Sequence, residues 1–218
     1  AAVHAADPQQ AAERAAALLK QVGVNRGLCV TVGQEAEVVL ELVQSSDLLV
    51  LVREPDAKAR ARLQQAADEA GLGIDRLVIQ AGDARQLPYA DRLVDAVITA
   101  TADVGDEEAM RALRPEGVLI RTDGKQLVTR RRPPQKGAGD WSHWEHGPDN
   151  NPVSTDSVIK APYMTQFMAR PFYIGMPSVT TAAAGRTFLA IGHIAHHRRE
   201  WKTLNRLIAR NGYNGIIL

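Results

Sequence analysis

The chain has 218 residues, 45% of them apolar and 23% charged, with a formal net charge of +1. That length holds one good core, or one core and a smaller second unit. The near-neutral balance gives no global case for nucleic-acid or membrane-surface binding, and no apolar run approaches the roughly 20 residues that cross a bilayer. Cys29 is the only cysteine, which excludes an intramolecular disulfide and argues against a cysteine-rich zinc site. It sits inside an apolar run and reads as packing.

The opening Ala1-Ala-Val-His-Ala-Ala6 has neither the basic start nor the apolar centre of a signal peptide. An alanine-rich end and a remnant of cleavage are both compatible with it. Pro8 to Gln21 reads as an amphipathic helix with Asp7 as cap, Pro8 at the first turn and Gly23 as its stop. Two short Val- and Leu-rich runs follow, Leu28-Cys-Val-Thr-Val-Gly33 and Leu48-Leu-Val-Leu-Val-Arg-Glu54. Each is too short for a helix and reads as a buried parallel strand. Glu35 to Val43 forms the helix between them. Pro55 and Asp56 start a third helix, which runs to about Ala70 and is closed by Gly71 and Gly73. Further strands are expected at Arg76 to Gln80, Val94 to Thr99 and Val118 to Arg121. The helix Glu107 to Leu113 leads through Arg114-Pro-Glu-Gly117 into the last of these. Strand and helix alternation with short links predicts an α/β fold, a Rossmann-like open parallel sheet with helices on both faces.

Ligands of such sheets lie at the carboxyl ends of the strands. Gly33 ends the first strand, and Glu54 ends the second, 21 positions later. An acid there can accept both hydroxyls of a ribose; the plain alternative is a solvated loop carboxylate. Asp83, after the third strand in Ala81-Gly-Asp-Ala84, can face an adenine amino group or simply cap a turn. Asp103 and Asp106 follow the fourth strand, as a contact to an amino group or substrate, or as a loop acid and a helix cap. The turn at Gly33 carries one glycine, then Gln34, Glu35, Ala36 and Glu37. Its two acids would repel a pyrophosphate, so a phosphate-free nucleoside suits it better.

These residues give the first part a resemblance to the class I S-adenosylmethionine-dependent methyltransferases. It rests on Cys29-Val-Thr-Val-Gly33, Glu54, Gly82-Asp-Ala84 followed by Leu87-Pro-Tyr89, Asp95-Ala-Val-Ile98 and Ala112-Leu-Arg-Pro-Glu-Gly-Val-Leu-Ile120, and covers roughly Gln9 to Thr122. The resemblance implies S-adenosylmethionine as cofactor, with Gly33, Glu54, Asp83 and Ala84 as cofactor-binding residues. It names no catalytic residue. The chain departs from the family in its single-glycine turn, whose larger residues would crowd the cofactor's methionine portion. It also departs after the fifth strand, where Lys125 to Arg132 replaces two further strands and one wall of the usual substrate pocket.

Composition changes after Arg130-Arg-Arg-Pro-Pro-Gln-Lys136, which reads as a solvated linker or a phosphate grip. Boundaries of 1–135 and 136–218 follow. The second part is rich in Trp and His. His143 and His146 with Glu145, and His193, His196 and His197, are two candidate metal groups, although neither spacing is a recognised zinc pattern and no metal is expected. Arg170, Arg198, Arg199 and Arg206 form a basic surface only if one face gathers them. Strands are expected at Thr187 to Ile191 and Leu204 to Arg210, with a turn at Asn211-Gly-Tyr-Asn-Gly215. The element Leu207-Ile-Ala-Arg-Asn-Gly-Tyr-Asn-Gly-Ile-Ile-Leu218 resembles the repeat of pyrroloquinoline-quinone-like (PQQ-like) β-propeller proteins of the outer-membrane assembly lipoprotein type. Trp141 to Pro152 resembles the entry segment of large bacterial proteins that join such a propeller to a methyltransferase-like domain. About 80 residues make a blade or two of the four to eight a propeller needs. The resemblance therefore implies a fragment or processed piece that seeks the rest of a propeller, or further copies of itself, as partner. It does not imply bound quinone.

Two functions follow. One is a methyltransferase-like protein with an unknown acceptor. The other is a non-catalytic binding or assembly module with a degenerate cofactor site. An active methyltransferase implies the cytoplasm, whereas a dominant propeller relationship implies the periplasm or export. A nicotinamide oxidoreductase is opposed by the glycine pattern.

Overall fold

The computed structural model describes residues 7–124, 126–159, 161–162, 165–169, 177–192 and 198–218. The chain divides into two compact units, Ala1–Pro133 and Pro134–Leu218.

The first unit opens with α1 (Pro8–Val22). The Asp7 side chain accepts the Gln9 N–H, and Gly23 ends the helix in the left-handed region. The chain then runs through β1 (Arg26–Val32), α2 (Ala36–Gln44), β2 (Asp47–Arg53), α3 (Ala57–Glu69), β3 (Leu77–Gln80), β4 (Val94–Thr99), α4 (Asp106–Ala112), β5 (Leu113–Asp123) and β6 (Gln126–Arg131). The sheet order is β3-β2-β1-β4-β5-β6. The first five strands are parallel, and β6 returns antiparallel to β5. The all-parallel expectation is corrected at this edge. Only two residues separate β5 from β6, too few for a crossover, and Gly124 (φ 58°) turns a hairpin instead.

Alternate side chains of the central strands feed two cores. Cys29, Val50, Val52, Ala96 and Ile98 pack with α1, α2 and α3 on one face. Val30, Val32, Leu51, Val97 and Leu119 pack with α4 on the other. The β3–β4 connection carries no helix among the described residues, so the strand–helix alternation lapses there. Ala84, Leu87 and Tyr89 of that loop cover the second face instead. Cys29 is fully buried, and burial first, then the nearby Asp95 charge, push its thiol up to about 12. That fixes it as an inert packing group.

A second correction concerns Arg114-Pro-Glu-Gly117. This segment does not precede the strand but lies inside β5, as an irregularity whose pairing to β4 shifts register between Val94 and Ala96. Glu116 sits at φ 64°. The buried carboxylate of Asp95 (2% exposed) explains the distortion. It takes the Arg114 Nε–H at 2.5 Å and the Leu28 N–H at 2.9 Å. The basic run also changes meaning. Arg130 pairs with Asp106, Arg131 donates to the carbonyls of Glu116 and Gln21, and Arg132 donates to those of Met110, Arg111 and Leu113. These arginines fasten the unit; they are neither linker nor phosphate grip.

The second unit contains β7 (Pro177–Ala183), β8 (Arg186–Ile191), a 3₁₀ turn (Arg198–Thr203) and β9 (Arg206–Asn211). The strands form a separate antiparallel sheet in the order β7-β8-β9. Single bridges extend it at both sides, Trp141 to Ala182 and Ile217 to Arg210. Among the described residues, no helix is long and apolar enough to cross a membrane.

Candidate functional site

One row of paired residues crosses the carboxyl ends of the parallel strands. Gln80 pairs with Arg53, Arg53 with Val32, Val32 with Thr99 and Thr99 with Arg121. The chain reverses direction across the sheet at β1, which neighbours both β2 and β4, and such a point opens a crevice. The residues just past the row line a cleft of about 750 Å³. Gly33 comes from β1, Glu54 from β2, Asp83 and Ala84 from the loop after β3, and Thr101 and Asp103 from the segment after β4. The four residues singled out in the sequence therefore stand in one cavity. Asp103 joins them, whereas Asp106 does not: it pairs with Arg121 at 2.6 Å and Arg130 at 3.0 Å. The Arg121 bond first, with Arg130 in support, holds the Asp106 carboxyl below the usual range.

Gly33 fits its place for two reasons. Its φ of 65° is left-handed, and a Cβ there would stand 2.5 Å from Thr101 Cγ2. The neighbouring large residues do not crowd the cleft. Gln34 turns its amide to Thr122 Oγ1 at 3.3 Å, and Glu35 turns its carboxylate to Arg14 at 2.9 Å. Neither lines the cavity.

Glu54 is held by its own turn. Its Oε1 accepts the Asp56 N–H at 2.9 Å, and Arg60 donates to the carbonyls of Glu54 and Pro55. Asp83 is engaged locally: its Oδ1 accepts the Arg85 N–H and its Oδ2 the Arg85 side chain at 2.7 Å. That side-chain bond is the main reason its carboxyl is held below the usual range.

Beneath the loop lies Arg53, which the sequence reading passed over. It is 9% exposed and donates to Ala81 O at 2.6 Å and Asp83 O at 3.3 Å. Gly82 (φ 134°) has no room for a Cβ against this guanidinium. Tyr89 closes the loop with a hydrogen bond to Gln80 Oε1 at 3.0 Å, and burial raises its phenol to about 12 against the opposing pull of Arg53. The available signal was a lone charge ending an apolar run. Arg60, Arg85 and Thr101 carried no comparable signal.

In the second unit, His143 N–H donates to His146 O, Ser142 Oγ meets His143 Nδ1, and the Trp141 and His146 rings meet edge to face at 5.2 Å. This is a hydrogen-bonded turn that leaves Trp144 exposed. Among the described residues no three His, Cys, Asp or Glu side chains gather as metal ligands. His193, His196, His197 and Arg170 lie outside the described residues. Arg198 lies over the Trp201 ring, 5.9 Å from its centroid.

No family model and no curated protein matches the sequence. Solved structures do resemble it. The [4+2]-cyclase SpnF is 21% identical with a TM-score of 0.47, over 55% of this chain and 50% of that one. Geranyl diphosphate C-methyltransferase from Streptomyces coelicolor A3(2), in complex with Mg²⁺, geranyl diphosphate and S-adenosyl-L-homocysteine, is 14% identical with a TM-score of 0.44, over 50% and 44%. The YcgJ protein from Bacillus subtilis is 16% identical with a TM-score of 0.43, over 50% and 49%. The chain spans about half the length of the structures it matches. The doubly wound fold rests on the strand order of the chain itself.

Proposed function

We propose that the first unit binds S-adenosylmethionine in this cleft and presents its methyl group to an acceptor. One observation carries the reading: Gly33, Glu54, Asp83 and Ala84, from three different strand ends, converge on a single cleft of about 750 Å³ at the switch point of the sheet. Glu54 accepts the ribose hydroxyls, Asp83 faces the adenine amino group, and buried Ala84 supplies an apolar wall. Gly33, with Gln34 and Glu35 turned aside, lets the methionine portion pass close to the backbone. Asp103 stands where the ligand's ammonium would end. The cofactor supplies a methyl carbon on a sulfonium. With the group bound, the acceptor's lone pair would take the methyl carbon, the carbon–sulfur electron pair would stay with sulfur, and the acceptor's proton would go to solvent. Holding donor and acceptor in line is the protein's main contribution to such a transfer.

A second reading, a binding or assembly module with a degenerate site, is favoured by the Arg85 side chain and backbone occupying both oxygens of Asp83. Within it, the second unit is a propeller blade. The antiparallel β7-β8-β9 meander supports that, as does the single bridge of Ile217 to Arg210 beside β9.

Calorimetric titration with S-adenosylmethionine and S-adenosylhomocysteine separates the two. The first reading expects micromolar binding, weakened at least about tenfold in Glu54→Ala by loss of hydrogen bonds to a charged acceptor. No binding at millimolar ligand to folded protein overturns it and leaves the module.

A further inference from the structure

We infer that Arg85 is a latch on the cleft: its guanidinium holds the Asp83 carboxylate and gives it up to the amino group of an entering 6-aminopurine nucleoside. This role rests on the S-adenosylmethionine reading of the same cleft and adds what controls entry to it.

Asp83 and Arg85 both line the cleft. Asp83 Oδ1 accepts the Arg85 N–H at 2.8 Å, while Oδ2 faces Arg85 Nε at 2.7 Å and Nη2 at 2.5 Å. A carboxylate oxygen has two lone pairs, so the arginine side chain fills Oδ2. The guanidinium also matches the carboxylate's charge. A base amino group therefore meets Asp83 at full strength only after the side chain has left, because a hydrogen bond to an unmatched charge is the stronger one.

The two members differ in freedom. Asp83 is fixed from below, where Arg53 donates to the carbonyls of Ala81 and Asp83. The Arg85 side chain is 79% exposed and hydrogen-bonds no other described residue. Its release uncovers nothing and breaks no further contact, so the arginine is the moving part. Its charge also reaches across the cleft. The Asp83 bond first, with Asp103 in support, holds the guanidinium pKa above its ordinary value. Asp83 follows β3 and Asp103 follows β4, with β2 and β1 between those strands in the sheet. A nucleoside with its base at Asp83 and its ammonium at Asp103 has to fill that span, and it brings to each acid an N–H donor in place of the arginine.

The exchange selects the base. A 6-aminopurine supplies an N–H for the oxygen that Arg85 leaves. A 6-oxopurine presents a carbonyl at that position, which the guanidinium can meet from where it stands. An exposed ion pair holds weakly, so the latch sets affinity within a factor of about two to five and does not bar the site.

The test is calorimetric titration of the full chain and of Arg85→Met, which keeps the side-chain length and loses the charge. S-adenosylhomocysteine is expected to bind Arg85→Met about two- to fivefold more tightly than the wild type, while S-inosylhomocysteine gains nothing. Added salt narrows the gap between the two proteins, since it screens an exposed pair. The NMR signal of the wild-type Arg85 Nε–H is expected to move to that of a freely solvated arginine as S-adenosylhomocysteine saturates the chain. Equal or weaker binding by Arg85→Met, an equal gain for both nucleosides, or an Nε–H signal unmoved by the ligand overturns the latch. Where both proteins bind S-adenosylhomocysteine, that failure leaves the cofactor reading standing. If neither binds it, the cofactor reading falls and the latch with it.

Discussion

A guanidinium buried at the end of an apolar strand must find its hydrogen bonds close by, and Arg53 finds them in the backbone of the loop that carries Asp83. The loop accepts this only because residue 82 is glycine. Gly82→Ala would place a methyl group against the guanidinium and strain a backbone at φ 134°. Breaking the Arg53 bonds and imposing that strain is expected to cost about 2–4 kcal/mol in urea unfolding. Arg53→Met loses the same bonds but opens the space, so the double variant Arg53→Met/Gly82→Ala costs clearly less than the sum of the singles. Additive costs would show that the two residues do not act through each other. At this scale the sequence was partly legible. Gly33, Glu54 and Asp83 could be picked out because each follows or ends a predicted strand, and Ala84 through the Gly82-Asp-Ala84 resemblance. The clamp beneath them could not, because its partners are carbonyls, and nothing in residue type announces which carbonyls a buried arginine will meet.

Helix α4 has seven residues, too few to persist alone, so tertiary bonds must fasten it. Asp106 ties its first turn to Arg121 and Arg130, and Arg132 donates to carbonyls at its last turn. Midway, Glu108 takes the Arg111 side chain and the Leu87 N–H, while Arg111 also holds Asp91 and the carbonyls of Leu87 and Tyr89. The Arg111 bond is the main cause of a Glu108 carboxyl held below its ordinary range. A depressed folded-state value means the stabilisation is complete above the unfolded value, near 4.3, and is lost as pH falls through the folded one. Glu108→Gln should therefore melt a few degrees lower at pH 7, about 1–2 kcal/mol, and the gap should close progressively as the pH falls below the ordinary carboxylate range. A gap unchanged by acid would show that shape, and not charge, sets the role of Glu108. The same fastening explains why the basic run was misread. From sequence, Arg130-Arg-Arg132 beside two prolines looks solvated; its partners lie 15 to 24 positions earlier on α4 and β5 and, for Gln21 of α1, 110 positions earlier.

The parallel core of the first unit was legible because its strands are buried on both faces and read as continuous Val and Leu runs. The antiparallel β6, exposed along much of its length, offered no such run. The second unit was harder to read still, since its strands mix Thr, Ala and Arg and its aromatic turn has no period. Every residue lining the cleft lies within residues 1–133. The inward-facing residues of both cores up to Leu127 lie there too. A chain cut after Pro133 keeps all strands of the first sheet, with β6 closing its edge through Arg131 and Arg132. Residues 1–133 are therefore expected to melt cooperatively and to bind S-adenosylhomocysteine within about twofold of the full chain. A further cut after Thr122 removes β6 and the Arg132 bonds at the end of α4. It is expected to lower stability by several kcal/mol, as breaking three carbonyl bonds to a charged donor and baring the β5 edge requires. Calorimetric melting and titration of the two truncations measure this directly. A 1–133 chain that folds but has lost the nucleoside site would show that the cleft depends on residues outside the unit that lines it.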